Sequence, residues 1–420
     1  MHPLIELIKK DMVPALGVTE PGCIAFAVAK AKSYLTSKPE RVVLSLNSGL
    51  YKNAYTCGIP NSSHYGIKYA AAFGLIMADS QKGLQALEGI TPDDDRKAEQ
   101  LIQKDRIIVK LSGISSALYC QATVYSKHEE CTVTIEQSHT NITSIRLNGQ
   151  YIFHNVIQNR QDTTPLIHQY SVKDIWEAVR SFSEEELSFI QKAFDMNMSL
   201  FKEGLQSQKT VILHQLYRMN ENTIFSKDVQ KSASLLCNGA IEARVLGLEA
   251  PAMSITGSGA HGIIATLPLY AYSVLNHCTN KQLYQATALS YLICMYIKEY
   301  SGKLSAFCGC GIAAGTVMAC GLVYLQQGNK EQIDHVLRNM ASSITGMICD
   351  GGNHGCVMKG MAAVDIAFES AQLAMADVSI ESVHGINGMS IEDTLKNMGE
   401  IADPGMRETE KVIVDILKKK

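Results

Sequence analysis

Cys131-Thr-Val-Thr-Ile135, Ile142-Thr-Ser-Ile-Arg-Leu147, Asn148-Gly149 and Tyr151-Ile-Phe153 make up the stretch that decides the fold. Apolar and polar residues alternate there with period two, as strands with one buried face require. Asn148-Gly149 is the dipeptide of a tight hairpin, since both residues tolerate positive φ. The alternation extends upstream through residues 117–125 and 107–111, and recurs at residues 41–47. Helical spacing marks residues 3–10, which stop near Pro14, and an Ala-rich helix is expected from Cys23 to about Thr36. Thr19 suits its N-cap and Pro21 its first turn. The glycine, proline and asparagine punctuation of residues 49–63 predicts a loop, and residues 65–79 return to helix.

Downstream the pattern changes. The chain is polar from Gln158 to Tyr170, then helical over residues 172–181, 184–197, 198–206, 210–219 and 226–247, with more beyond Gly262. The expected class is α+β: an N-terminal α+β part with an antiparallel-rich sheet over residues 1–165, then a largely all-α C-terminal domain over residues 166–420.

A chain of 420 residues can bury a large core. It is 46% hydrophobic and 19% charged with a formal net charge of −3, a balance that predicts neither nucleic acid nor membrane as partner. The most apolar stretch, residues 312–325, is too short and glycine-broken for a membrane span. Met1-His2-Pro3-Leu4 followed by Lys9-Lys10-Asp11 lacks the pattern of a secretory signal, so a cytoplasmic protein is expected. The apolar helices of the second half make a homodimer the expected assembly.

Twelve cysteines divide into two kinds. Cys57, Cys120, Cys237, Cys294 and Cys320 have small or apolar neighbours and read as core residues. Cys308, Cys349 and Cys356 instead sit among glycines, in Phe307-Cys-Gly-Cys310-Gly311 and Cys349-Asp-Gly-Gly-Asn-His-Gly-Cys356. Thiolates are soft ligands, and glycines let backbone close around a bulky inorganic group. These spacings are not those of zinc ribbons. Three cysteines and an open position suit an iron–sulfur cluster whose free iron binds substrate; the competing reading is small residues buried between helices.

A third glycine-marked break, Thr256-Gly-Ser258-Gly-Ala-His261-Gly262, can direct backbone N–H groups at a substrate carboxylate, with Ser258 and His261 as candidate contacts. No strand precedes it in a βαβ unit, which argues against dinucleotide binding, and P-loop, HExxH and nucleophile-elbow patterns are absent.

Motifs spread over nearly the whole chain resemble those of the L-cysteine desulfidase (YhaM-type) family, related to the α-chain of iron–sulfur L-serine dehydratases. They are Pro14-Ala-Leu-Gly-Val-Thr-Glu-Pro21, Tyr51-Lys52-Asn53, His139-Thr140-Asn141, Pro251-Ala-Met253, Gly257-Ser-Gly259, Leu304-Ser305-Ala306 before Cys308, and Met347-Ile-Cys349-Asp350-Gly351. The resemblance implies a 4Fe-4S cluster and a β-elimination that converts cysteine to sulfide, pyruvate and ammonia. Its relatives carry a ligand cysteine where this chain has Val18, and valine cannot bind iron. Either Cys356 completes the set with Cys308 and Cys349, or Cys23 substitutes, or the chain holds no cluster.

The elimination needs a base at the α-carbon, donors for the carboxylate and a small amino acid as substrate. Lys52, His139 and Glu20 are the candidate catalytic residues and Asn53 a candidate substrate contact. Each has a plainer reading, as a loop lysine, a structural histidine or a helix-start carboxylate. His64, His261 and His354 are further leads, and Ser305 and Asp350 are expected to hydrogen-bond ligand sulfurs. L-cysteine is the first substrate, with two alternatives: L-serine as substrate, or a cluster-free relative that only binds amino acids.

Overall fold

A computed structural model describes residues 2–155 and 164–420. The polar stretch expected from Gln158 therefore lies, up to residue 163, outside the described residues. The class is α+β, with the sheets in the first half and a mostly helical second half.

Eight strands are present among the described residues: β1 (Val13–Ala15), β2 (Arg41–Asn47), β3 (Ile107–Gly113), β4 (Tyr119–Tyr125), β5 (Glu130–Glu136), β6 (Ile142–Leu147), β7 (Gln150–His154) and β8 (Ala252–Ser254). Six form one sheet in the order β3-β2-β4-β5-β6-β7. β2 and β3 run parallel, with Leu44 opposite Val109, and every other neighbouring pair is antiparallel. Period-two patterning sets which face is buried: Cys120, Ala122 and Val124 of β4 point inward while Tyr119, Gln121 and Thr123 alternate with them. The inner face packs under the helix Thr19–Lys32, whose Gly and Ala content lets it lie almost wholly buried between the sheet and the helix Ile67–Ile76.

The second core is helical. In Asn280–Ser301 every residue from Leu283 to Lys298 is buried, and in Val229–Val245 every residue from Ser232 onward. Helices Gly315–Leu325 and Cys356–Met375 pack against them. Each fully buried Leu, Ile or Val there contributes about 1.5–3 kcal/mol. No helix among the described residues is long and apolar enough to cross a membrane.

Four local expectations are corrected. Residues 49–63 are not all loop, because Ser48–Ala54 is a short helix. Gly49 there serves close packing, since a Cβ would stand 2.4 Å from that of Leu304. Thr19 is not the cap of the second helix. Val18 holds that position, and the Thr19 hydroxyl donates to Glu20 Oε2 at 3.0 Å. The expected break at residue 198 is absent, because Phe194, Asn197, Leu200 and Phe201 face the core continuously along Gln191–Gln206. A single turn, Glu184–Leu187, precedes that helix, fixed by reciprocal Ser183–Glu186 capping.

The two cores do not simply follow the chain. Leu4, Ile5 and Ile8 of the helix Pro3–Asp11 are buried in the second core, and β1 pairs antiparallel with β8, Val13 opposite Ser254. At the other end, the helix Arg407–Leu417 returns to pack on Ser48–Ala54.

Candidate active site

The two cysteine segments are bound to each other through the backbone. Cys308 N donates to Met347 O at 3.1 Å and Cys349 N donates to Ala306 O at 2.6 Å, on either side of a bridge between Phe307 and Ile348. Glycines keep the segment close to its neighbours: a Cβ at Gly309 would lie 2.5 Å from His261 Nε2, and one at Gly311 would displace the Met347 side chain. Cys356 begins the helix Cys356–Met375, with its thiol toward Gly351 O. Val18 stands at the same wall, since a Cβ on Gly352 would meet its methyl group at 2.9 Å.

Charge is distributed unevenly over these thiols. A hydrogen bond from Cys310 holds Cys308 well below the usual thiol range; Gly311 N–H, Lys359 and Lys52 add to it against burial. Burial pushes Cys349 up against the pull of Lys52, and pushes Cys356 up to about 12. No three His, Cys, Asp or Glu side chains among the described residues are gathered closely enough to hold a single metal ion. A four-iron cube binds each thiolate at a separate corner, so a cluster does not require that gathering. The donor set fits one in its chemistry: soft thiols, one of them acidified, between glycines and beside lysines.

Cys23 lies elsewhere. It is buried in the first core, where hydrogen bonding to Cys120 and burial raise it well above an ordinary thiol. The reserve-ligand expectation is therefore corrected, because its thiol belongs to helix–sheet packing.

Lys52 also departs from expectation. Its fully buried ammonium donates to Ser305 O (2.9 Å), Cys349 O (3.0 Å) and Glu410 Oε2 (2.8 Å). Burial alone would lower its pKa, but Cys349 and Glu410 reverse the effect and raise it. A lysine with three committed protons and no lone pair is not a base, so Lys52 instead ties three segments together. Ser305 and Asp350 do not reach a sulfur either. The Ser305 hydroxyl donates to Ser301 O at 3.4 Å, and Asp350 pairs with Lys359.

Glu20, Asn53 and His139 do meet. Asn53 Nδ2 donates to Glu20 Oε1 at 2.8 Å, while its Oδ1 faces the Cys349 thiol at 3.7 Å. His139 Nε2 faces Glu20 Oε1 at 3.8 Å. Burial raises the Glu20 carboxyl, but His139, Asn53 and the charge of Arg244 outweigh it and hold it down at about 2. Gly257 lies over the other ring nitrogen, its Cβ position 3.2 Å from His139 Nδ1. His139 also lines a cleft of about 440 Å³ with Asp11, Thr256, Gly257 and Lys303.

Ser258 precedes the short helix Gly259–Ile264, and His261 within it accepts from or donates to Thr256 Oγ1 at 2.6 Å. Burial first, then Lys298 and Arg244, hold His261 neutral. His64 lies apart, stacked on Tyr69 and 2.9 Å from Glu99. His354 is held by buried Glu242 at 2.6 Å.

Two residues escaped the sequence reading. Arg244 and Lys298 are 5% and 2% exposed, and neither has an ion pair or hydrogen bond among the described residues. Burial pushes Lys298 down to about 8. Neither carries a motif, and it is the burial of their helices that singles them out.

A family model described as the serine dehydratase alpha chain matches residues 81–415. A UPF0597 protein of Clostridium botulinum (strain Langeland) is 38% identical over 424 residues, covering 99% of this chain and 98% of that protein. UPF0597 proteins of Caldanaerobacter subterraneus subsp. tengcongensis and Clostridioides difficile are 33% and 30% identical over 420 residues, covering 99% and 98% of this chain and 98% of each relative.

Proposed function

We propose that this chain, which belongs to the serine dehydratase α-chain family, is a β-eliminating lyase that converts L-cysteine to sulfide, pyruvate and ammonia. The observation that carries this reading is Asn53, which joins the Glu20–His139 pair to Cys349 through its two amide ends. On this reading acid–base groups and thiols belong to one site.

Cys308, Cys349 and Cys356 would hold a 4Fe-4S cluster. Bound there, it supplies a Lewis-acidic iron for the charge on the departing β-substituent. Glu20, kept anionic, faces His139 Nε2 and favours the proton on that nitrogen. Nδ1 is then the lone pair that takes the substrate's α-proton above Gly257. Neutral His261, beside Gly309, is placed to donate a hydrogen bond to the leaving group. The aminoacrylate product tautomerises and hydrolyses in water. Reduced thiols of this kind suit a cytoplasmic enzyme.

L-serine is the second reading, favoured by the family match itself. Anaerobic reconstitution, with iron and sulfide quantified, followed by parallel assay of sulfide from L-cysteine and pyruvate from L-serine, tests both. The first reading expects the cysteine reaction to dominate in kcat/KM. Dominance of serine selects dehydration, and a protein that takes up no iron but binds amino acids defeats the lyase.

A further inference from the structure

Arg244 is a buried cation without an anion. Its Nε is shielded from solvent and finds no acceptor, and no carboxylate lies within 4.0 Å of the guanidinium among the described residues. Burying such a charge unpaired is costly, and replacing it by an apolar residue would ordinarily relieve that cost. Glu242, two residues earlier on the same helix, does not serve as its partner. That carboxylate accepts from Ile212 N and Leu213 N and holds His354. Glu20 feels the charge of Arg244, but its oxygens are engaged by Asn53 and Thr19.

The guanidinium nevertheless has a defined place. Gly259 leaves room for it, since a Cβ there would stand 2.7 Å from Arg244 Nε. Its charge acts on both Glu20 and His261, the two sides of the proposed reaction site. Lys52 and Lys359 act instead on Cys308. A planar fork of donors matches a carboxylate in bidentate fashion, which an ammonium cannot do.

We infer that Arg244 is the receptor for the substrate's α-carboxylate, so that the amino acid itself supplies the missing counter-ion. This rests on the lyase reading and names the group that anchors its substrate. An α-amino acid held there by its carboxylate would present its α-hydrogen to His139 and its β-substituent to the thiol side. Simple amines and amino-acid amides would lack that anchor.

The test measures competitive inhibition and calorimetric binding of L-alanine and L-alaninamide to the anaerobically reconstituted full chain, as wild type, Arg244→Lys and Arg244→Met. Wild type should prefer L-alanine by at least about tenfold, the worth of a charge-assisted hydrogen bond. Arg244→Met should lose that preference, raise KM for L-cysteine, and melt no lower than wild type when ligand-free. Arg244→Lys should retain part of the preference. An unchanged preference in Arg244→Met overturns the assignment. So does a lower melting temperature with both ligands lost together, which would make Arg244 structural. Wild type that neither binds L-alanine nor eliminates from cysteine or serine removes the lyase reading itself, whatever the variants do.

Discussion

Lys52 and Lys298 are both fully buried lysines near the same cysteines, and they differ in every other respect. Lys52 has an acceptor for each proton and sits above its ordinary pKa; Lys298 has none and is pushed down to about 8. The first knots the helices Ser48–Ala54 and Arg407–Leu417 to the cysteine segments. The second, with Arg244, leaves positive charge unspent inside the protein. A saturated buried charge is part of the scaffold, whereas an unsaturated one marks space kept for something else.

The strongest way to break this contrast is Lys52→Met, which abandons Glu410 in the interior. We expect a loss of about 3–5 kcal/mol in urea unfolding. Pairing it with Glu410→Leu should restore most of the loss, and an unaffected single variant would end the scaffold role. Glu20 comes next. Its carboxyl stands at about 2 against an ordinary 4.5, so its charge stabilises the fold above pH 4.5 and that share is lost as pH falls through 2. The share is about 3 kcal/mol, and Glu20→Gln should remove this pH dependence from unfolding curves.

Lys298→Met should act in the opposite sense to Lys52→Met. Folded Lys298 loses its proton near 8 and unfolded lysine near 10.5, so wild-type stability should rise between those pH values. The variant should lack that rise and gain about 1–3 kcal/mol at pH 7; a loss of stability would show that Lys298 has a partner after all. The smallest effect belongs to Cys23→Ala, about 1 kcal/mol of stability with iron uptake intact. Cys349→Ala should instead lose iron, and equal iron in the two would dissolve the distinction between the cysteine groups.

Much of the sheet was legible because alternation and Asn148-Gly149 are local signals, and β4 to β7 follow one another in chain and in space. The Cys308 and Cys349 segments were legible for a similar reason, since glycines crowd only where backbones must approach. The role of Lys52 was not, because two of its three partners lie more than 290 residues away. The β1–β8 pairing hid likewise, as three-residue strands carry no periodicity of their own. Arg244 was masked by Asn238-Gly-Ala-Ile-Glu-Ala-Arg244, which reads as an ordinary helix until every residue of it proves buried.

The docking of residues 3–15 on the far core has a consequence for synthesis. Leu4, Ile5 and Ile8 are translated well before the helices of the second half that shelter them. Until then the nascent chain carries an uncovered greasy helix, an invitation to chaperones or to neighbouring chains. Dividing the gene at residue 165 would make that exposure permanent, since neither fragment would contain both the helix and its dock.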